Sequence, residues 1–255
     1  MTPAIMEIER RGLNVKLASN IGKKQFQLAG TDQDRARAFQ DLLNDQTVKA
    51  ILIARGGYGT VRMVDKIDLA DFTSNPKWVA GYSDVTVLHS RISSHTAIAS
   101  LHSIMPVDVP TATTEAIEAL LSSLLGERET WSCKGNMQRG TVMEGEIVGG
   151  NISVLCSLLG SEDQVNMDGK ILFLEDLDEH LYHFDRMMQA LRRAGSFTKL
   201  KGLIVGDVDN MRDNTKAFGF SSDNPWGSTA TEIISECVKD FNFPMIFNFP
   251  AGHIP

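Results

Sequence analysis

The chain has 255 residues, 42% hydrophobic and 22% charged, which is the composition of an ordinary globular protein of one large or two modest domains. Its net charge of −7 argues against a nucleic-acid or anionic-membrane surface, because phosphate binding needs clustered Lys and Arg and no basic tract occurs. The three cysteines, Cys133, Cys156 and Cys237, are far apart and lack CxxC spacing, which argues against a disulfide framework or zinc cluster and favours a reducing compartment.

The amino-terminal residues indicate a cytoplasmic protein. Met1–Ala4 lacks the basic and apolar regions of a signal peptide, and no stretch of the chain reaches the roughly 20 apolar residues that span a bilayer. A helical pattern containing Ile5 and Ile8 comes first, and the strand-like Leu13–Leu17 follows it. Since an α/β chain usually opens with a strand, this order suggests an amino terminus trimmed relative to a complete domain.

Helices alternate with short apolar strands in the first half of the chain, which predicts βα units around a largely parallel sheet. Thr31 or Asp32 caps a predicted helix whose apolar residues Ala36, Phe39, Leu42 and Leu43 share one face. The later predicted elements are strands over 48–54 and 77–82, a helix over 84–93 and an amphipathic helix over 113–125.

The second half predicts a mixed domain. Alternating residues over 140–148 suggest antiparallel strands, and Gly149-Gly150-Asn151 then starts a short helix that ends at Gly160. The remaining predicted elements are strands over 170–174, 202–206 and 244–249 and helices over 181–194 and 229–239. The change of character near Pro106 and Pro110 divides the chain into domains over 1–110 and 140–255, with a linker region over 111–139.

Ser83 lies where a predicted strand turns into a helix, a position that exposes a hydroxyl at the edge of a sheet. The surrounding residues depart from the G-x-S-x-G pattern of α/β-hydrolases, because Val85 stands where the second glycine would be. Serine also caps helices at such positions, and local sequence alone favours the cap by about two to one. Both roles, nucleophile and cap, stay open at this point.

The loop Arg55–Thr60 has three glycines after a buried strand, so its backbone can pass close to a ligand and offer N–H donors. It does not match a phosphate-binding motif, because Arg62 stands where G-x-G-x-x-G requires glycine and no G-K-[ST] follows. A ligand-binding loop and a simple tight turn are equally consistent with these residues.

Glu175 and Asp176 end a predicted strand, where α/β folds collect functional side chains, and His253 follows Pro250-Ala251-Gly252 on a loop after the last strand. An acidic run before a helix is more often a solvated helix start, and an exposed ordinary histidine is the default for His253. No H-E-x-x-H pattern occurs, and His180 with His183 lacks a third ligand at helical spacing, so we expect no metal site.

Several segments, in this order, closely resemble the LD-carboxypeptidase family of serine peptidases, also called muramoyltetrapeptide carboxypeptidases. The resemblance runs from about residue 12 to the carboxyl terminus and is much more specific as a set than any one motif. The matching segments are Ala29-Gly30-Thr31-Asp32 with Arg35, Arg55-Gly56-Gly57-Tyr58-Gly59, Gly81-Tyr82-Ser83-Asp84-Val85-Thr86, Gly149-Gly150-Asn151, Leu174-Glu175-Asp176 and Gly252-His253.

The resemblance implies a Ser-His-Glu triad in which Ser83 is the nucleophile, His253 is the base and Glu175 orients His253. It also implies an oxyanion hole made by the backbone amides of Gly57 and Asp84. This agrees with general chemistry, because a serine hydroxyl needs a base, and a histidine works best as that base when a carboxylate holds its tautomer. Further candidate substrate contacts are Arg55, Tyr58 and Asn151.

The fold implied by the resemblance is α/β, with an N-terminal doubly wound, flavodoxin- or Rossmann-like parallel-sheet domain that carries the serine. A C-terminal mixed α/β domain with barrel-like strands carries the other two triad residues, so the resemblance places the active site between domains. The opening strand of the family would precede residue 1, and its closing strands would follow His253.

The function implied is release of the terminal D-alanine from murein tetrapeptides, after an L-configured third residue, in peptidoglycan recycling. The resemblance implies a homodimer that needs no metal, and no cofactor is expected. The composition, charge and amino-terminal residues predict a cytoplasmic protein with neither a membrane nor a nucleic acid as partner. One alternative keeps the triad but acts on aminoacyl-nucleotide conjugates, as the microcin-immunity relatives do. A second alternative is a non-catalytic module that holds an anionic ligand on its glycine loop.

Overall fold

The structure of the protein is a computed structural model, which describes residues 1–127, 130, 136–140 and 142–253. The chain divides into two compact units, Met1–Trp131 and Ser132–Ile254, called the first and the second unit below. Each unit has its own β-sheet flanked by helices, and most strand pairs are parallel. The predicted α/β class is therefore confirmed.

The first unit contains a parallel sheet with the strand order β1-β2-β3. Its strands and helices in chain order are α1 (Thr2–Arg10), α2 (Asp32–Asn44), β1 (Ala50–Leu52), β2 (Trp78–Gly81), α3 (Thr86–His95), β3 (Leu101–His102) and α4 (Thr114–Leu124). The short 3-10 helices Thr60–Arg62, Val64–Lys66 and Ser83–Val85 complete it among the described residues. One apolar core joins β1 and β2 to α2 and α3 through Phe39, Ile51, Val79 and Leu88.

Helix α2 begins where the sequence predicts it. The Thr31 hydroxyl accepts a hydrogen bond from the Asp34 backbone amide at 2.9 Å, and the Asp34 carboxylate accepts one from the Thr31 amide at 3.1 Å. This reciprocal capping box satisfies two amides that have no partner inside the helix. Of the two predicted caps, Thr31 is therefore the one used.

The second unit contains a larger sheet with the strand order β4-β8-β7-β6-β5, in which β5 to β8 are parallel and β4 is antiparallel to β8. Among the described residues β4 and β5 form its two edges. Its elements are β4 (Asn136–Arg139), β5 (Ile147–Asn151), α5 (Ile152–Ser157), β6 (Ile171–Leu177), α6 (Leu181–Arg193), β7 (Gly202–Asp209), the 3-10 helix Lys216–Phe218, α7 (Ala230–Cys237) and β8 (Met245–Phe247).

Two sequence predictions were wrong. Leu13–Leu17 forms no strand, because it belongs to the irregular connection between α1 and α2. The antiparallel strands predicted over 140–148 are also absent from the described residues there: β5 begins only at Ile147 and pairs in parallel with β6. Alternation of side chains indicates a strand but carries no information about the direction of its partner.

Strand β6 lies between β5 and β7 in the sheet of the second unit, and its two faces pack differently. Leu172 and Leu174 belong to the main core, which includes residues of α5, α6 and α7. Ile171 and Phe173 point to the opposite face and pack with Phe249 and Ala251, which follow β8. Because side chains alternate along a strand, Glu175 extends the row of Ile171 and Phe173.

Among the described residues, none of the helices combines the length and the apolar character needed to cross a membrane.

Candidate active site

Ser83 adopts a backbone conformation that serine rarely takes. Its φ angle of 64° lies in the left-handed region, which costs a residue with a Cβ about 1–2 kcal/mol. The turn is tight, since a Cβ atom on Gly81 would lie 2.9 Å from a Val85 methyl group. The N-cap residues of this turn are Tyr82 and Val85, neither with a side-chain capping bond, so helix capping does not explain Ser83.

The glycine-rich loop passes directly against this serine. A Cβ atom on Gly56 would lie 3.1 Å from Ser83 Cβ and 3.2 Å from Ser83 Oγ, so a larger residue at position 56 would require Ser83 to shift by a few tenths of an ångström. Gly57 follows with a φ of 119°, a conformation open to glycine, and a Cβ atom on Gly57 would meet nothing within 4 Å. Two segments far apart in sequence thus meet at the Ser83 hydroxyl.

Two side chains, those of Arg35 and Asp84, form hydrogen bonds with this loop. The Arg35 guanidinium donates a hydrogen bond to the Gly59 carbonyl at 2.8 Å and forms an ion pair with Asp32 at 2.5 Å. The Asp84 carboxylate accepts hydrogen bonds from the Thr60 amide at 2.9 Å and the Thr60 hydroxyl at 2.7 Å. The predicted contacts Arg55 and Tyr58 extend outward, and Tyr58 is 57% exposed.

His89 forms a hydrogen bond with the backbone just before the serine turn. Its Nε2–H donates to the Gly81 carbonyl at 2.8 Å, which leaves Nδ1 to accept from the Ser100 hydroxyl at 2.8 Å. Burial lowers the pKa of His89, and the Gly81 bond only partly opposes this. A neutral histidine therefore anchors the residue two positions before Ser83, a role the sequence pattern did not indicate.

In the second unit, Glu175 and His253 form a buried pair. His253 Nδ1 donates to Glu175 Oε2 at 2.8 Å; Glu175 is 0% exposed and the His253 side chain 15% exposed. Burial alone would lower the pKa of His253, but the hydrogen bond and charge of Glu175, with the charges of Asp176 and Asp207, raise it above its ordinary value. With its proton on Nδ1, the neutral ring has its basic nitrogen at Nε2.

Two glycines let the 249–253 segment pack close enough to form this pair. A Cβ on Gly206 would lie 2.2 Å from the Ala251 carbonyl oxygen, and one on Gly252 would lie 3.3 Å from Glu175 Cβ. The Asp207 amide donates to the Ala251 carbonyl at 2.9 Å. A register shift between β6 and β7 beside Glu175 accompanies this contact, as bulges often do where a side chain is re-aimed.

Asp176 has a different role from its neighbour. Its carboxylate accepts from the Ser153 and Leu177 amides, each at 2.9 Å, and from the Asn151 side-chain amide at 3.0 Å. Burial raises its pKa to about 6, the Ser153 and Leu177 hydrogen bonds oppose that rise, and the charge of Glu175 adds to it. Asp176 therefore fixes the start of α5.

Asn151 also lies at the start of α5, where its side-chain oxygen caps the helix by accepting from the Val154 amide at 3.1 Å. Its predicted contact with substrate stays a prediction.

The acidic residues after Asp176 stabilise local structure. Asp178 forms an ion pair with Arg212, and Glu179 bonds His183 Nδ1 at 2.6 Å. In the described ranges no group of three or more His, Cys, Asp or Glu side chains is arranged to hold a metal ion. Cys133, one of the three cysteines considered from the sequence, lies outside the described residues.

The sequence predicted Ser83, Glu175, His253 and the loop containing Gly57 as site residues. The structure places them in two groups, one in each unit. Ser83 and the loop belong to the first unit, and the Glu175–His253 pair belongs to the second. Thr60 belongs to the predicted loop, but the sequence did not indicate its contact with Asp84 in the serine turn. It also did not indicate His89, which supports that turn, or Asp207, which lies beside Gly252. Their nearness to the glycine motifs in the sequence is a signal that could have indicated them, but it is too weak alone.

Comparison with known proteins identifies both parts of the chain. The family model described as the LD-carboxypeptidase N-terminal domain matches residues 1–103, and the one for the LD-carboxypeptidase C-terminal domain matches residues 144–255. A relative from Bacillus subtilis strain 168, named probable murein peptide carboxypeptidase, is 33% identical over 256 residues, covering 98% of this chain and 78% of that protein.

Two solved structures share the fold. Muramoyltetrapeptide carboxypeptidase from Oxalobacter formigenes aligns with a TM-score of 0.79 at 22% identity, covering 99% of this chain and 84% of that one. The microcin C7 self immunity protein MccF, solved in complex with aspartyl sulfamoyl adenosine, aligns with a TM-score of 0.82 at 19% identity, covering 97% and 81%. At these identities the similarity establishes the fold.

Proposed function

This chain belongs to the LD-carboxypeptidase family, a family of hydrolases, and from that membership we propose that it is a serine-type peptidase that releases the terminal D-alanine of murein tetrapeptides. The observation that carries the proposal is the buried hydrogen bond between Glu175 and His253. A histidine held in this way is prepared to act as a general base toward a serine. The name of the Bacillus subtilis relative supports a murein peptide as substrate.

In the proposed mechanism the Ser83 hydroxyl oxygen attacks the carbonyl carbon before the terminal D-alanine, while His253 Nε2 takes the hydroxyl proton. The oxyanion of the tetrahedral intermediate accepts hydrogen bonds from the Gly57 and Asp84 backbone amides. As the C–N bond breaks, His253 returns its proton to the leaving amine and D-alanine departs. Water, deprotonated by His253, then hydrolyses the acyl ester and restores Ser83.

The local structure supports the roles of Ser83, Glu175 and His253. Left-handed strain at Ser83 is of a kind that proteins retain at functional sites, and the glycine loop lies against its side chain. Glu175, which holds the Nδ1 proton of His253, also stabilises the imidazolium formed during each proton transfer. The proposal requires Ser83 Oγ to come within hydrogen-bonding reach of His253 Nε2 in the working enzyme.

The test is to incubate the full chain with a murein tetrapeptide and to measure free D-alanine by chiral mass spectrometry. We expect release by the parent protein and a loss of several orders of magnitude in Ser83→Ala, because the triad acts as a unit. Release of the terminal L-alanine from an all-L peptide at an equal rate would exclude the LD assignment. Hydrolysis of an aminoacyl sulfamoyl nucleoside in place of the tetrapeptide would establish the aminoacyl-nucleotide alternative.

We further propose that the protein is a homodimer, from the family resemblance, and that it is cytoplasmic, from the features of its sequence. Light scattering of the purified chain measures the first property, and cell fractionation measures the second. A monomer at micromolar concentration would contradict the first.

A further inference from the structure

The Asp84 carboxylate and Thr60 join the serine turn to the glycine-rich loop. Both Thr60 donors, the amide at 2.9 Å and the hydroxyl at 2.7 Å, bind the same carboxylate oxygen, Oδ2. Asp84 is 8% exposed and Thr60 is half-buried, so this contact is partly shielded from water, which would otherwise compete for the same groups. The bond therefore connects two segments 24 residues apart in the sequence.

The serine turn and the glycine-rich loop each contribute one amide to the proposed oxyanion hole. Asp84 follows Ser83, and its backbone amide is one proposed oxyanion donor. Thr60 ends the loop that holds Gly57, whose amide is the other. The Asp84 side chain therefore connects Asp84, whose amide is the first proposed donor, to the loop that contains the second donor, the Gly57 amide.

The conformation of the loop depends on contacts from outside it, because two of its glycines have positive φ angles. Gly57 and Gly59 both have φ angles of 119°, and glycine has a wide choice of backbone conformations. Arg35 holds the Gly59 carbonyl at 2.8 Å. A loop of this kind keeps an amide at a fixed point only when it is tied at its end, and Thr60 is where it is tied to the serine turn.

We propose that the Asp84 side chain, through Thr60, is a positioning group that sets the separation of the two oxyanion donors. This inference rests on the proposed serine mechanism. Stabilisation of an oxyanion depends on donors that are already in place before the charge develops, so a loop free to shift loses rate without losing substrate affinity. The feature that matters is an acceptor atom at the position of Oδ2.

The acceptor requirement makes Asp84→Asn and Asp84→Ala an informative pair. Asparagine can place its side-chain oxygen where Oδ2 lies and accept both Thr60 bonds, whereas alanine accepts neither. We expect kcat to fall on the order of 10²-fold in Asp84→Ala, with KM changed less than about 3-fold, and to fall less than about 10-fold in Asp84→Asn.

The chain offers a matched control in the first unit. The Asp45 carboxylate accepts from the Thr47 amide at 2.8 Å and from the Thr47 hydroxyl at 2.6 Å, again with both donors on one oxygen. Thr60→Val and Thr47→Val therefore each remove one hydrogen bond from a threonine hydroxyl to an aspartate. The first bond lies beside Ser83 and the second at the end of α2. Only Thr60→Val is expected to lower kcat, and it also serves as the test if Asp84→Ala does not fold.

A second measurement separates this inference from the choice of substrate. A fluorophosphonate probe reacts with an activated serine and leaves a phosphoryl oxygen at the oxyanion position, so its labelling rate reports Ser83 and its donors without any peptide. We expect slow labelling in Asp84→Ala and Thr60→Val, and the parent rate in Thr47→Val. If the parent protein released no D-alanine but the variants still showed these differences in labelling rate, only the proposed substrate would be refuted. The inference about Asp84 would stand.

Two results would overturn the inference. One is a folded Asp84→Ala protein that labels and turns over at the parent rate, with a parent-like melting temperature as evidence of folding. The other is an Asp84→Asn protein as slow as Asp84→Ala, because the charge of Asp84, and not its acceptor atom, would then be what matters.

Discussion

At Ser83 the backbone conformation and the side-chain chemistry place opposite demands on the chain. The φ angle of 64° favours glycine, while the proposed reaction needs a hydroxyl at this position. Residues with such strain occur where the surrounding structure enforces the conformation. Around Ser83 this structure consists of the close contacts of Gly56 and Gly81 and the hydrogen bond from His89 to the Gly81 carbonyl. Strain and function at this residue can therefore be separated by substitution.

We expect Ser83→Gly to be more stable than Ser83→Ala by about 1 kcal/mol, although both lack the nucleophile. Alanine retains the Cβ that makes the left-handed conformation costly, whereas glycine does not, and the greater freedom of glycine in the unfolded chain offsets part of the gain. Urea unfolding of the two variants measures the difference. Equal stability would mean that residue 83 is not strained.

At His253 the buried carboxylate of Glu175 controls the protonation state. The pKa of His253 is raised in the folded protein, so the base becomes neutral only as pH rises through this value. The linked stability has a definite sign: the pair contributes fully below the unfolded pKa of about 6.5 and loses its contribution as pH rises through the folded pKa. Activity and this part of the stability therefore change in opposite directions with pH.

In Glu175→Gln we expect the acidic limb of the kcat/KM profile to move to lower pH, because the charge that raises the pKa of His253 is removed. The maximal rate should fall on the order of 10³-fold, since glutamine stabilises the imidazolium poorly. Rates measured from pH 5 to 9 test both effects. An unmoved acidic limb would show that another group controls the profile.

At the scale of elements, the packing of the 249–253 segment against β6 and β7 decides where His253 lies. Gly206 and Gly252 occupy positions where a Cβ would collide with backbone or with Asp207. The segment hydrogen-bonds to β7 through the Asp207 amide and the Ala251 carbonyl. The Glu175–His253 pair thus depends on small residues in neighbouring strands and loops.

Gly252→Ala is expected to reduce kcat at least about 10²-fold and to destabilise the protein by about 1–3 kcal/mol. The added methyl group would lie 3.0 Å from Asp207 Cβ and 3.3 Å from Glu175 Cβ, at a φ of 131°. Gly160→Ala is the matched control, because Gly160 also has a positive φ of 79° but has nothing within 4 Å of its Cβ direction. It should lose stability and keep activity, as measured by thermal unfolding and D-alanine release.

At the scale of the whole molecule, the proposed chemistry divides between the two units. The first unit contains the nucleophile and the oxyanion loop, and the second contains the base and its carboxylate. Each unit has its own apolar core, so each part of the site is supported by separate packing. A substitution in one unit should then change the reactivity of a residue in the other.

His253→Ala is expected to slow fluorophosphonate labelling of Ser83 by several orders of magnitude, because the hydroxyl would lose its base. His183→Ala, which removes a histidine of the second unit that is bonded to Glu179, is the control and should label at the parent rate. Mass spectrometry of the labelled peptide identifies Ser83. Parent-like labelling of His253→Ala would refute the proposed triad.

Much of the fold could be predicted from the sequence because helices and parallel strands leave local patterns. The helices at α2, α4, α6 and α7 and the strands at β2, β6 and β8 lie where periodicity and capping residues indicate them. The direction of β5 and the absence of a strand at Leu13–Leu17 could not be predicted. Both depend on the partner that a segment finds, and that choice is made by packing far along the chain.

For the candidate site, the sequence alone determined the candidate residues, because the glycine motifs and the serine, glutamate and histidine that accompany them are local features of the chain. Only the tertiary structure decided that Gly56 touches Ser83, that Thr60 binds Asp84, and that Glu175 meets His253 across 78 residues of chain. The physical reason is that such contacts are short in space and long in sequence. Hydrogen bonding and van der Waals exclusion act only over a few ångströms, so no sequence pattern of fixed spacing records them.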